Sequence, residues 1–442
     1  MDLKQRVTDV LPSVRADLEA LVRIPSVSAL PQHAEDVQRS ASATAALFEA
    51  EGFEVELLTA GDSPPAVVAT KAGPAGAPTV LLYAHHDVQP VGDPASWDSG
   101  PFEPTERGER LYGRGAADDK AGIAAHLAAV RAHGDDLPVT VTLLVEGEEE
   151  VGSPHLEHFL AEHRERLRAD VIVIADSANW DIGTPALTTS LRGLVDCVVE
   201  LRTLDHAVHS GLWGGAVPDA VTSLCRLLAT LHDERGDVAV TGLLSGPADD
   251  VDYPLDRLRA ESGIADGVSL IGTGSVVERL WTKPAVAVIG FDATATADAS
   301  NTLIPVARAK VSVRVAPGDT PQNVMACLKR HLEQQAPWGA QVTVHEGEQG
   351  SPTRIDATGP AYDAARAAFE EAWDGVAPVD MGMGGSIPFI AALQEAFPQA
   401  SVLVTGVEDP DTRAHGANEG LHLAEFARVC LAEALLLRNL GG

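Results

Sequence analysis

Residues 79–90 read Thr79-Val80-Leu81-Leu82-Tyr83-Ala84-His85-His86-Asp87-Val88-Gln89-Pro90, an apolar run that ends in two histidines and an aspartate. A short continuous apolar run closed by polar residues and proline reads as a strand buried on both faces. The pattern recurs. Residues 139–145 lead into Glu146-Gly147-Glu148-Glu149-Glu150, and Val171–Ile174 leads into Ala175-Asp176. An alanine-rich helix beginning near Lys120 separates the first two runs. Strands alternating with helices predict an α/β fold built on a mostly parallel sheet. Such sheets place ligands at the carboxyl ends of their strands, and His85, Glu149, Glu150 and Asp176 all fall there.

Working outward, Val7, Val10, Leu11, Val14, Leu18, Leu21 and Val22 recur at helical spacing and predict an amphipathic opening helix. Pro12 is expected to break or kink it, and Pro25 to end it. From about Arg192 the texture changes to a βαββαβ-like block. It has strands at 194–201, 285–289, 307–315 and 341–345, with helices over 217–232 and after Pro321. The expected organisation is a discontinuous domain of residues 1–190 and 353–442, interrupted by an inserted α+β domain of residues 191–352. The first domain closes with a strand at Ser401–Val404 and a helix over 423–437.

The chain has 442 residues and a formal net charge of −32, from 32 Lys+Arg against 64 Asp+Glu. That balance excludes nucleic-acid binding by phosphate neutralisation, which needs basic patches. Cys197, Cys225, Cys327 and Cys430 are dispersed. Their spacing argues against a zinc knuckle or a disulfide framework and is compatible with a reducing compartment. No apolar stretch approaches the ~20 residues of a membrane span, and the N-terminus lacks a signal-peptide core. A cytoplasmic protein is expected.

Several short segments supply groups suited to metal binding. His85 and Asp87 share one turn, where a carboxylate can fix the ring orientation of a ligating histidine. His86, one position on, should point the other way. Asp118 follows the loop Gly113-Arg114-Gly115 and starts a helix, free to bridge two cations. Glu149 and Glu150 form an acidic pair after a buried strand, and Asp176 ends another, where an unpaired carboxylate is costly. His415 lies in His415-Gly416-Ala417-Asn418-Glu419, before the last helix. Zinc takes imidazole and carboxylate ligands, and paired metal ions serve hydrolysis. The set reads as a di-metal hydrolase.

These segments resemble the di-zinc metallopeptidase family of carnosinases, bacterial dipeptidases, glutamate carboxypeptidases, aminoacylases and desuccinylases. The resemblance runs from Ile24-Pro25-Ser26-Val27-Ser28 to Glu419 and is strongest to the dipeptidase branch. It implies two Zn²⁺ per subunit, with Mn²⁺ or Co²⁺ as substitutes. His85 and Asp176 would hold one ion, Glu150 and His415 the other, and Asp118 would bridge. Asp87 would orient His85, and Glu149 would serve as general base. The resemblance assigns the inserted domain to a lid and dimerisation role. His209, in His209-Ser210-Gly211, would reach across a homodimer to the partner's substrate. Arg314 would clamp the substrate carboxylate, with Asn301 and the run Gly384-Gly385-Ser386 beside it. Ala84, Ala121 and Ala207-Val208 depart from the family pattern without touching the metal set.

The implied activity is cleavage of a dipeptide or short peptide amide, with a small peptide as partner and neither nucleic acid nor membrane. An N-acyl amino acid deacylase or desuccinylase of the same fold is the alternative. A non-catalytic metal-binding interaction protein is the remote one.

Overall fold

Residues 79–85 form a strand, Thr79–His85, buried at every position after the first. The computed structural model describes residues 2–247, 250–385 and 388–442. Thr79–His85 pairs in parallel with Thr140–Glu146 on one side and Val171–Ile174 on the other, and Ser401–Val404 adds in parallel to the latter. These strands make the parallel centre of a large mixed sheet. Its flanks are antiparallel: Ala66–Lys71 beside Thr140–Glu146, then Glu54–Leu58, with Ala186–Leu191 beside Ser401–Val404 on the far side. Glu54–Leu58 and Ala66–Lys71 are joined by a short loop, which permits only the antiparallel arrangement.

Helix Lys120–His133 is buried along nearly its whole length. Its alanines let it lie close to strand Thr79–His85 and helix Leu423–Leu440. At mid-helix, His126 presents Nδ1 to Glu433 Oε1 at 2.6 Å and Nε2 to the Tyr83 carbonyl at 3.0 Å. Two acceptors require two ring protons. Burial opposes that charge, but Glu433 outweighs it and the His126 pKa is raised.

The opening helix spans Leu3–Val22 without a break and contains Pro12. The expectation of an early break fails for a local reason. Thr8 and Pro12 both face solvent, so the carbonyl that proline leaves without a donor is open to water. The buried residues are Val7, Val14, Leu18, Leu21 and Val22, the predicted apolar stripe.

The chain divides into two compact units, residues 1–189, 355–381 and 392–442 in one, and residues 190–354 and 382–391 in the other. The second unit contains a four-stranded antiparallel sheet ordered Ala285–Asp292, Val306–Val315, Gly193–Arg202, Gln341–Gly350. Strand Val306–Val315 buries Ala307, Ala309, Val311, Val313 and Val315, the period of two that one covered face dictates. Helices Ala220–Ala229 and Pro321–Gln334 supply the covering Leu224, Leu227, Val324 and Leu328. The edge strand Ala285–Asp292 leaves Val288, Ile289 and Phe291 exposed. Among the described residues no helix is long and apolar enough to cross a membrane.

Candidate metal centre

The parallel strands all end on one side of the first sheet, and the chemistry collects there. Strand Thr79–His85 delivers His85 at its last position. Its Nε2 lies 3.2 Å from Asp118 Oδ1 and 4.0 Å from Asp176 Oδ1. His415 Nε2 lies 3.0 Å from Asp118 Oδ2 and 3.2 Å from Glu150 Oε2. Two groups of potential ligand atoms result, His85–Asp118–Asp176 and Asp118–Glu150–His415, each gathered within 4.8 Å. Asp118 gives one carboxylate oxygen to each. Imidazole nitrogen with carboxylate oxygen suits zinc-like divalent cations, and one shared carboxylate suits a pair of them.

Asp87 ties this arrangement together. His85 Nδ1 is 3.1 Å from the Asp87 carbonyl and 3.4 Å from its Oδ1. Those acceptors hold a ring proton on Nδ1 and aim Nε2 at Asp118 and Asp176, the orientation in which it would ligate a cation. The Asp87 carboxylate also accepts the amides of Glu149 and Glu150 at 3.2 and 3.1 Å, fixing the acidic turn against the histidine. Glu150 is held further by the backbone and side-chain amides of Gln89, at 3.0 and 2.8 Å. His86 turns away, with Nε2 2.9 Å from the Pro65 carbonyl, as alternation along a strand requires.

The His415 loop holds three non-glycine residues at positive φ: Arg413, His415 and Asn418. Such strain persists where surrounding contacts over-determine the backbone. Here Arg114 donates to Glu419 Oε2 at 2.6 Å and to the Gly416 carbonyl at 3.2 Å. Glu419 in turn accepts the amides of Gly115, Ala117 and Asp118. Glu419 thereby positions Asp118 and the His415 loop together. Arg110 pairs with the buried Asp409 of the same segment. The Asp118–Asp119 peptide bond is cis, and Asp119 Oδ2 accepts the His85 amide at 3.1 Å. The small-residue departures fit: Ala84 and Ala121 are fully buried.

The electrostatics favour positive charge. Hydrogen bonds from His415 to Asp118 and Glu150 push its pKa up to about 11. Burial works against charging His85, yet Asp118 and Asp87 raise it well above the ordinary value. Burial pushes Asp176 up to about 7, with Asp118 and Glu150 adding to it. Glu149 is raised well above the carboxylate range by burial and then by Asp176. A ring of acids this dense needs cations.

The second unit carries the remaining sequence-derived residues, of which it brings His209 and Asn301 together. His209 ends a short strand paired with Thr302–Leu303, and the Asn301 carbonyl accepts the Ser210 amide at 2.9 Å. His209 is exposed, and its Nδ1 accepts the Gly211 amide at 3.0 Å. That leaves the ring proton on Nε2, as an outward donor. Arg314 sits on strand Val306–Val315 opposite Leu194 and Ala285. Sequence reading missed Arg192, a buried guanidinium that donates to the carbonyls of Gly384, Arg279 and Lys283. Burial and then Arg314 lower its pKa to about 10. A cation at the junction Leu191-Arg192-Gly193 was the available signal. Gly385 carries no side chain for a role beyond its backbone, and Ser386 lies outside the described residues.

A fold with a parallel centre and two linked clusters of His and carboxylate at its strand ends defines the class as a metal-dependent hydrolase. The model for Peptidase family M20/M25/M40 matches residues 81–439, and the chain belongs to this family of hydrolases acting on peptide bonds. It is 35% identical over 433 residues to a cysteinylglycine-S-conjugate dipeptidase of Corynebacterium striatum, covering 96% of this chain and 95% of that one. It is 30% identical over 381 residues to a Beta-Ala-His dipeptidase of Rattus norvegicus, covering 81% and 76%. The structure of human carnosine dipeptidase 1 superposes with a TM-score of 0.82 at 25% identity, covering 99% of this chain and 98% of that one.

Proposed function

We propose that this chain is a di-metal dipeptidase. Its first unit would be catalytic, and its second unit would act as lid and dimerisation domain. The observation that carries the reading is Asp118, whose two oxygens face two separate ligand groups with Glu149 beside them. Zinc is the proposed metal, with manganese or cobalt as substitutes. His85, Asp118, Asp176, Glu150 and His415 would hold two ions, which when bound supply Lewis-acid polarisation of the scissile carbonyl and acidify water. Glu149 would take the proton of the attacking water and return it to the departing amine, a task suited to a carboxyl of raised pKa. Asp87 would keep His85 oriented and the Glu149–Glu150 turn in place.

His209 would donate its Nε2 proton to the oxygen that gains charge in the transition state, acting on the partner's substrate in a homodimer. Supporting the dimer, Leu212 and Trp213 next to His209 are 76% and 55% exposed, and the edge strand Ala285–Asp292 is open. Arg314 would clamp the substrate carboxylate bidentately, with Asn301, Gly384 and Gly385 adjoining. Four free cysteines support a cytoplasmic location. The test is a kinetic screen of a dipeptide library on metal-reconstituted protein, with acetyl and succinyl amino acids alongside. Turnover of dipeptides is the expected result. Preference for the acyl amino acids would move the chain to the deacylase branch.

A further inference from the structure

Asp118 serves both ligand groups, and each group adds one histidine and one carboxylate: His85 with Asp176, and His415 with Glu150. Equal ligand types leave any difference in grip to what surrounds them. The histidines differ most. The His85 side chain is 1% exposed, with the Asp87 carbonyl and Oδ1 at 3.1 and 3.4 Å from its Nδ1. An acceptor behind a ligating ring fixes its orientation and makes it more basic. The His85 backbone is fixed too, by pairing with Glu146 and by an amide on Asp119 Oδ2 at 3.1 Å.

His415 lacks these supports. Its side chain is 59% exposed and lies in a turn, outside any strand or helix. Its Nε2 meets Asp118 and Glu150, while among the described residues its Nδ1 has no hydrogen-bond partner. The carboxylates point the same way. Glu150 is more buried than Asp176, but its Oε2, 3.2 Å from His415, already accepts the Gln89 side-chain amide at 2.8 Å. A donor on a ligand oxygen lowers its basicity. Asp176 accepts no hydrogen bond among the described residues.

We infer that His85, Asp118 and Asp176 hold a resident cation, while Asp118, Glu150 and His415 hold an exchangeable one. The inference rests on the di-metal reading. The enzyme then has a one-ion and a two-ion form, and the free concentration of zinc-like cations sets their ratio by mass action. The exposed ring of His415 gives the outer cation a direct path to water, so a different metal can replace it without disturbing the first.

For the test, the full chain is stripped of metal and dialysed against buffers of graded free zinc, and bound zinc is counted by mass spectrometry. Wild type should fill in two steps separated by about 10- to 100-fold in free zinc, the range over which a ligand's supporting partners change affinity. His415→Ala should keep the low-zinc step and lose the other, and His85→Ala should lose the low-zinc step. Where a variant fails to fold, a crystal of wild type given one equivalent of zinc decides, with the anomalous signal expected beside His85 and Asp176. Two ions entering in one step, a low-zinc step lost in His415→Ala, or one equivalent found beside His415 would overturn the inference. A wild type that takes up fewer than two ions at saturation would instead sink the di-metal reading.

Discussion

His415 and His209 are both exposed histidines, yet their surroundings differ. His415 has two carboxylates within 3.2 Å, supplied by its own structural unit. His209 has one ring nitrogen occupied by the adjacent Gly211 amide and, among the described residues, nothing on the other. Arg314 likewise has no carboxylate within 4.0 Å among the described residues, in a chain with twice as many acids as bases. One region is internally complete. The other presents donors that have no such acceptor among the described residues.

The contrast can be broken by mutation. Asp118→Ala removes the ligand common to both groups, so metal content should fall from two ions to below one and turnover to background. A full metal complement after that change would dismantle the shared-carboxylate geometry. Glu149→Ala should keep both metals and lose about 10²- to 10⁴-fold in kcat; near-normal turnover would remove it as base. His209→Ala should retain metal and lose about 10²- to 10³-fold in kcat. An unchanged rate would mean its outward proton serves no transition state. Glu419→Gln should weaken metal affinity by about 10- to 100-fold in chelator competition, because it holds Asp118 without belonging to either ligand group. The smallest effect is on stability. His126 has a folded pKa raised by Glu433, so its contribution is complete below the unfolded value near 6.5 and is lost as pH rises through the folded value. In urea melts, the advantage of wild type over His126→Gln should shrink as pH rises above about 6.5.

The parallel centre was legible because its strands are largely apolar runs, three of which lead directly into a His or carboxylate. His85 and Asp176 announce themselves in that way. The antiparallel flanks were less visible, since Glu54–Leu58 alternates weakly and is half exposed. Pro12 misled because residue type alone does not tell which side of a helix a proline occupies. Glu419 and Arg192 were harder. Each acts through backbone groups or the fields of distant residues, and no local spacing records such contacts. The loop motif ending in Glu419 was visible, but its amide-binding role was not.

The order of the chain has a further consequence. Strand Ser401–Val404 lies between Val171–Ile174 and Ala186–Leu191 in the sheet, although the whole second unit separates it from both in sequence. During synthesis, His85, Asp118 and Asp176 leave the ribosome well before His415. The sheet that should carry them stays split until nearly the last residues emerge. Closing so distant a pairing is slow, so a chain truncated after the second unit should expose an unfilled slot in its central sheet and aggregate.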